Sequence, residues 1–399
     1  MALPDNPLTL ARQLTRWFER EKRDLPWRID RSPYRVWLSE VMLQQTRVAV
    51  VEDYFRRFVL RFADVRSLAA ASEDEVLALW SGLGYYSRGR NLHRAARVVV
   101  EQHGGAFPHT AAALRLLPGV GPYTAAAIAS LAFSERVAVV DGNVGRVLSR
   151  LCDDDRPIDL PAGKHALSET AQLLVDHHSK PQQVNEGLME LGALVCTPTS
   201  PACGACPWRI ACRARKTGTI ADRPRKAPKR ARTALDVAAV VLVGRQCGRV
   251  WLERREARGL FGGMFEPPSS RLVDSAAAGV EASWRQLLRE RGFAAPERMP
   301  PPAVVARTLT HRELRFFVAT IVVDAAPDDA RFYGREALSS VGISSAVRAV
   351  LDVAWPVGNA THPQRAASKR SGLVSGKLPK ATKSSAVVRA GRPPLAARR

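Results

Sequence analysis

From about Asn6 to Cys212, apolar residues recur three and four positions apart, as at Leu114 and Leu117 and then Ala127, Ile128 and Leu131. Pro and Gly cut this pattern at short intervals, so it predicts a dense set of short helices. The period changes at Leu235. Residues 237–243 and 250–252 read as strands around a turn at 244–248, and 304–309 and 314–323 as two more joined by a polar turn at 311–313. A helix is expected through 284–289, which makes this second part α+β. Between the two parts, residues 213–232 hold nine basic residues, one acid and two prolines, the composition of a solvated linker. The last stretch, Gly358–Arg399, is rich in Ser, Lys, Ala and Pro and is expected to be disordered. The chain therefore reads as multidomain: an all-α domain over 1–212, a basic linker over 213–234, an α+β domain over 235–355 and a basic tail over 356–399.

Composition narrows the partners. The 399 residues carry 60 Lys and Arg against 38 Asp and Glu, a net charge of +22. The tail from Pro356 holds 10 of the cations and no acid, yet residues 1–355 still have 50 basic residues against 38 acidic ones. The folded part is thus basic in its own right, which favours a polyanionic partner. No apolar run is long enough to span a bilayer, no long basic amphipathic helix is evident, and the first ten residues lack a signal pattern. A cytoplasmic protein without a membrane partner is expected. Six cysteines in that setting point to metal or catalysis rather than disulfides.

Cys196, Cys203, Cys206 and Cys212 fall in the spacing C-x6-C-x2-C-x5-C. Four thiolates this close suit a tetrahedral zinc or a four-iron, four-sulfur cluster, and spacing alone leaves both open. Their surroundings are polar and contain Pro198, Pro201 and Pro207, so the loop has little apolar surface and needs a staple. Cys152 and Cys247 read as ordinary buried thiols, and His177 and His178 as surface residues.

Leu117-Pro118-Gly119-Val120-Gly121-Pro122 lies between two helical patterns. Its glycines permit a tight turn and close backbone approach, and Pro122 suits the first turn of the next helix. The N–H groups of such a turn face an anion, so Gly119, Val120 and Gly121 are candidates to hold a nucleic-acid phosphate. Two carboxylates stand out. Glu40 shares its helical face with Val36, Trp37 and Leu43, behind a cap and first turn at Ser32 and Pro33. Burial there raises a carboxyl's hold on its proton, as a general acid requires. Asp141 follows the apolar run 137–140 and precedes a helical pattern, so it also reads as an N-cap that stays ionised. A protonated Glu beside an ionised Asp is the pairing that cleaves glycosidic bonds.

Together, these segments resemble the MutY-type adenine DNA glycosylases. The resemblance runs through Leu25-Pro26-Trp27-Arg28, residues 39–46, Gly82-Leu83-Gly84-Tyr85-Tyr86-Ser87-Arg88, the hairpin, Val140-Asp141-Gly142-Asn143-Val144 and the cysteines. It implies a helix-hairpin-helix glycosylase domain with an iron–sulfur loop, followed by a Nudix-like α+β domain. It also implies one [4Fe-4S] cluster on Cys196, Cys203, Cys206 and Cys212. The implied substrate is double-stranded DNA in which adenine pairs with 8-oxoguanine or guanine. The enzyme would act as a monomer in the cytoplasm, with the nucleoid if bacterial.

By that resemblance Glu40 protonates a flipped adenine, Asp141 stabilises the sugar cation, and Tyr123 and Asn143 orient them. Trp27, Arg28, Leu43, Val48 and Glu186 match positions that line the base pocket. Gln44, Gln45, Thr46, Leu83 and Tyr85 match residues that meet or enter the duplex, with glycines flanking Leu83 as in a projecting wedge. The related endonuclease-III enzymes place a Lys just after the hairpin as an amine nucleophile. Here Pro122 and Tyr123 follow it, which implies base removal without strand cleavage. In the second domain, Phe265 and Pro267 replace the family's Trp and Phe. Leu309-Thr310-His311 stands where the family reads the lesion with Phe-Ser-His, so Thr310 and His311 are the candidates there. Beyond Pro268 only Glu281 and Glu290 are found where a Nudix hydrolase clusters its glutamates, so nucleotide hydrolysis is not expected.

Overall fold

The computed structural model describes residues 1–228, 231–256, 259–309, 311–324, 329–339 and 341–355. The first part is all-helical, as its spacing predicts, but it builds two cores rather than one. Helices Pro33–Leu43, Val48–Arg61, Glu73–Trp80, Ser87–His103 and Pro122–Phe133 gather around Trp37, Phe58, Trp80 and Ile128. The second core joins the first helix, Pro7–Glu21, to Gly142–Cys152, Pro161–Asp176 and Pro181–Leu194 through Leu10, Leu14, Phe18, Leu148 and Leu188. The chain starts in one core, builds the other, and returns. Trp208 seals the return, its indole N–H donating to the Leu10 carbonyl at 3.0 Å.

The crossing back to the second core is made by the extended residues 137–140, which join no sheet. Their backbone is satisfied by side chains instead. Val139 N–H donates to Asn185 Oδ1 at 3.0 Å, Asn185 Nδ2 donates to the Val137 carbonyl at 2.8 Å, and Ala138 N–H donates to Gln172 Oε1 at 2.9 Å. A fully buried Asn is tolerated because it replaces a missing strand neighbour. The segment delivers Asp141 to the start of the Gly142–Cys152 helix, between the two cores.

The basic segment after Cys212 is not the solvated linker that its composition predicts. Arg213–Thr217 is helical with Ala214 fully buried, and Ile220–Asp222 forms a 3-10 turn. Arg150 donates to the carbonyls of Ile220 and Arg223 at 3.1 and 3.0 Å, and Ile158 N–H donates to the Arg225 carbonyl at 3.0 Å. Composition misleads because the outward side chains are charged while the backbone finds partners on the helical core.

In the second part, β1 (Thr233–Gly244), β2 (Val250–Trp251), β5 (Ser269–Arg271), β6 (Ala303–Thr308), β7 (Arg312–Val323) and β8 (Phe332–Tyr333) form one sheet, while β3 (Glu253–Arg254) and β4 (Phe265–Glu266) pair separately. β1 and β7 run parallel from Thr233↔Arg312 to Gly244↔Val323; the other pairings are antiparallel. Ala239 and Val241 face the helix Ser345–Ala354, and Ala238, Val240 and Leu242 face the helix Ala277–Glu290. From Val237 to Val243 this strand is apolar because helices cover both faces. The turn expected at 311–313 is already partly strand, since Glu313 pairs with Thr308 of β6 and Arg312 with Thr233 of β1. Cys247 is half-buried, unlike the fully packed thiol expected, and His178 is likewise half-buried, bonded to Thr15 at 3.3 Å.

Both parts lie in one compact unit, Met1–Val357. Met264 of the second part is buried in the first helical core, and Gly342 packs on Leu77. Arg254 bridges to Asp74 at 2.5 Å and Glu73 at 3.6 Å, in the acidic first turn of the Glu73–Trp80 helix. Among the described residues, no helix is long and apolar enough to cross a membrane. The tail expected over 356–399 lies outside the described residues.

Candidate active site

A cavity of about 220 Å³ lies between the two helical cores. Glu40, Tyr123, Asp141 and Asn143 line it, together with Trp27, Arg28, Leu43, Val48 and Glu186. Glu40 projects from the Pro33–Leu43 helix, which opens on Pro33 with Ser32 at the cap position but without a side-chain cap bond. Glu40 is 6% exposed. Burial raises its affinity for a proton to about 7, aided by the charges of Asp141 and Glu186 and opposed by the Tyr123 hydroxyl and Arg28. The carboxyl thus divides between its two protonation states near neutrality.

Asp141 is the N-cap of the Gly142–Cys152 helix, its Oδ1 accepting the Val144 N–H at 2.7 Å. Its Oδ2 accepts from Asn143 Nδ2 at 2.9 Å. Both oxygens thus receive donors, and the side chain that caps the helix also lines the cavity. Tyr123 donates its hydroxyl to Glu40 Oε2 at 3.3 Å. Burial, with the charges of Glu40 and Asp141, raises the phenol's proton affinity well above the ordinary value, so it acts as a donor.

One wall of the pocket is an ion-pair network that sequence analysis missed apart from Arg28 and Glu186. Glu186 accepts from Arg28 at 3.2 Å and Arg31 at 2.8 Å, while Glu190 pairs with Arg23 at 2.9 Å and Arg28 at 3.0 Å. Burial opposes the Glu190 charge, but the two guanidiniums outweigh it and bring the carboxyl to about 2. The signal in the sequence was two glutamates one helical turn apart on the helix that carries the buried Asn185.

A second network runs from Asp141 towards the cysteines. Asn143 Oδ1 accepts from Arg146 at 2.8 Å, and Arg146 Nε donates to the Cys196 carbonyl at 2.7 Å. One turn on, Arg150 donates to Cys196 Sγ at 3.4 Å and to the carbonyls of Thr197 and Pro198 at 2.7 and 3.0 Å. Cys196, Cys203, Cys206 and Cys212 line one small cavity beside Arg150. Burial, reinforced by the three neighbouring thiols, pushes Cys206 up to about 12. Among the described residues, no three His, Cys, Asp or Glu are disposed to hold a single metal ion. Four half-buried sulfurs around one cavity, with the Arg150 guanidinium beside them, suit an inorganic group bound through thiolates, whose mutual repulsion bound metal would offset.

The three segments expected at DNA are brought to the outside of this site. Gln45 is exposed with φ of +58°, Gln44 donates to Thr124 at 2.9 Å, and Thr46 lines the pocket. Arg88 joins this segment to the next. It donates to the carbonyls of Val41, Met42 and Gln44 at 2.9, 2.9 and 2.6 Å, to the Thr46 hydroxyl at 3.2 Å, and to the carbonyls of Leu83 and Gly84 at 3.2 Å. Leu83 is not the projecting wedge its glycines suggest: it is 6% exposed and belongs to the first core, because Arg88 and Trp80 wind the loop inward. Tyr85 is 44% exposed. In the hairpin Gly119 and Gly121 are exposed, but Val120 is buried and its N–H is spent on the Leu117 carbonyl at 3.1 Å. Gly119 has φ of +76°, and a side chain there would meet Asn91 Cβ at 2.5 Å. His311 is exposed at the start of β7, away from the pocket lining, and Thr310 lies outside the described residues.

A helical domain with an acid pair in its cleft and an exposed glycine hairpin defines a base-excision glycosylase. Residues 38–160 match the HhH-GPD superfamily base excision DNA repair protein family, and 238–353 match the NUDIX domain. The chain is 38% identical over 392 residues to the mouse (Mus musculus) adenine DNA glycosylase, covering 84% of this chain and 76% of that one. The human protein (Homo sapiens) of the same name is 36% identical over 402 residues, with 85% and 73% covered. That of Mycolicibacterium smegmatis is 40% identical over 217 residues, with 53% and 72% covered. The chain belongs to the adenine DNA glycosylase family: it is a DNA N-glycosylase of base excision repair.

Proposed function

We propose that this enzyme acts as a monomer in the cytoplasm on duplex DNA in which adenine is paired with 8-oxoguanine or guanine, leaving an abasic site without cutting the strand. The observation that carries the reading is a buried carboxyl divided between protonation states near pH 7, facing a helix-capping carboxylate across one cavity. At about 220 Å³ the cavity suits a single base; it falls below the roughly 300–1,000 Å³ of typical ligand pockets.

Glu40 gives its proton to N7 of the flipped adenine, so the base leaves neutral when the bond between C1′ and N9 breaks. Asp141, held by its two donors, faces the positive charge that develops on the sugar. Glu40, now a carboxylate, accepts a proton from the water that adds to C1′, and the acid is restored. Tyr123 and Asn143 hold the two carboxyls in place. Among the lining residues no Lys is present, and the residue after Pro122 is a phenol, which cannot form an imine with the sugar. The exposed glycines of the hairpin, Gly119 and Gly121, hold a phosphate through their backbone. Cys196, Cys203, Cys206 and Cys212 hold one [4Fe-4S] cluster, which when bound staples the 196–212 loop. Thr310 and His311 of the second domain read the opposite base.

Single-turnover adenine release from A:8-oxoguanine, A:G and thymine-glycol duplexes tests the reading. Release from the first two, with strand cleavage only after alkali, is the expected result. Base loss from thymine glycol with spontaneous nicking would replace it with an endonuclease-III-like lyase.

A further inference from the structure

The residues 81–88 are held on three sides. From the Val48–Arg61 helix, Tyr54 donates its hydroxyl to the Ser81 carbonyl at 2.7 Å. From beneath, Trp80 Nε1 and Arg88 donate to the Gly84 carbonyl at 3.1 and 3.2 Å. The third side is the second domain, where the Ile343 carbonyl accepts both the Ser81 hydroxyl and the Tyr86 hydroxyl at 3.1 Å. The Tyr86 oxygen in turn accepts the Gly82 N–H at 3.4 Å. One phenol therefore links the first glycine of the loop to the backbone of the other domain.

The acceptor is firmly placed. Ile343 is 1% exposed, bridges Phe265 of β4, and directly precedes Ser344, the N-cap of the Ser345–Ala354 helix. Met264, Gly342 and Arg254 make the surrounding contact continuous. The loop itself needs support. Gly82, Gly84 and Tyr85 have φ of +102°, +72° and +48°, and a side-chain-bearing residue such as Tyr85 seldom adopts the left-handed region.

We propose that the Ile343 carbonyl is a latch through which the second domain sets the conformation of the 82–85 loop, which makes Ser81 and Tyr86 positioning residues for the choice of base opposite adenine. The proposal rests on the reading that this loop enters the duplex. A displacement of the second domain as it engages the opposite base is carried to the loop by two hydrogen bonds that share one oxygen. The loop then presents the exposed Tyr85 differently for 8-oxoguanine and guanine, while Glu40 and Asp141 are untouched.

The test is single-turnover adenine release by the full chain from A:8-oxoguanine and A:G duplexes, scored as the ratio of the two rates. Removing both hydroxyls, in a Ser81→Ala, Tyr86→Phe double variant, is expected to lower that ratio roughly three- to tenfold, the factor set by one or two net hydrogen bonds. A merely destabilised protein slows on both duplexes and keeps the ratio. Ser81→Thr retains a hydroxyl and is expected to keep it too, and Tyr86→Phe alone, which leaves the ring packed, to give a smaller change in the same direction. Tyr85→Ala separates the two levels of the argument. If it changes the ratio while the double variant does not, the latch is overturned; if it leaves the ratio unchanged, the loop does not read the duplex and the latch falls with it.

Discussion

Replacing Tyr123 by Phe should raise the pH at which the enzyme loses its acid. The Tyr123 hydroxyl donates to Glu40 Oε2 at 3.3 Å and favours the carboxylate, against the burial that lifts Glu40 from an ordinary value of 4.5 to about 7. A bond to a charged group is worth about 1.5–3 kcal/mol at good geometry; at this length about 1 kcal/mol is reasonable, or somewhat under one pH unit. Adenine release needs protonated Glu40, so single-turnover rates of the parent enzyme fall tenfold per pH unit above about 7. In Tyr123→Phe the break moves roughly half to one unit higher. The stability linkage has the same sign. A carboxyl whose folded affinity for a proton is raised contributes stability that is complete below about 4.5 and is lost as pH rises through about 7. The variant extends that window upward, which urea melts at stepped pH would register. A break that stays put or moves down would refute the assignment of the falling limb to Glu40 and of the hydroxyl as its donor.

Asp141→Asn keeps a residue that caps the Gly142–Cys152 helix, so melting should shift little while base release falls at least roughly a hundredfold and duplex binding persists; near-normal turnover would remove Asp141 from the chemistry. Glu190→Gln should cost about 3 kcal/mol at neutral pH, since the Arg23 and Arg28 pairs hold the carboxyl at about 2 instead of 4.5. Because the affinity is depressed, that stability is present above about 4.5 and disappears as pH falls through about 2, so the two proteins should converge in acid melts; a constant difference at every pH would contradict the ion-pair account. Cys206→Ser should lower bound iron from about four atoms per chain and loosen the 196–212 loop, read by iron analysis and proteolysis; full iron content in that variant would show that Cys206 is not a ligand.

Much of the site was legible in the residues. Pro33 and Pro122 open their helices, Asp141 caps its own, and the five expected pocket residues line one cavity. These succeed because caps, first turns and apolar periodicity are decided within a few positions. Leu83 failed for a complementary reason. Flanking glycines permit a loop to project, but whether it does depends on Arg88 and Trp80, which draw it into the core. The basic segment after Cys212 failed likewise, since nothing in its composition shows that Arg150 will donate to its carbonyls.

By itself the sequence determined the inventory and the local geometry: which acids, thiols and glycines are present, which helix each begins or ends, and where the period shifts from helix to strand. Tertiary structure decided what those groups do. The proton affinity of Glu40 depends on Tyr123, 83 positions away; Glu186 accepts from Arg28, 158 positions away; and Tyr86 reaches its acceptor across 257. Desolvation and charge pairing act through space at a few ångströms, whatever the separation along the chain, so only the packed molecule can assign them.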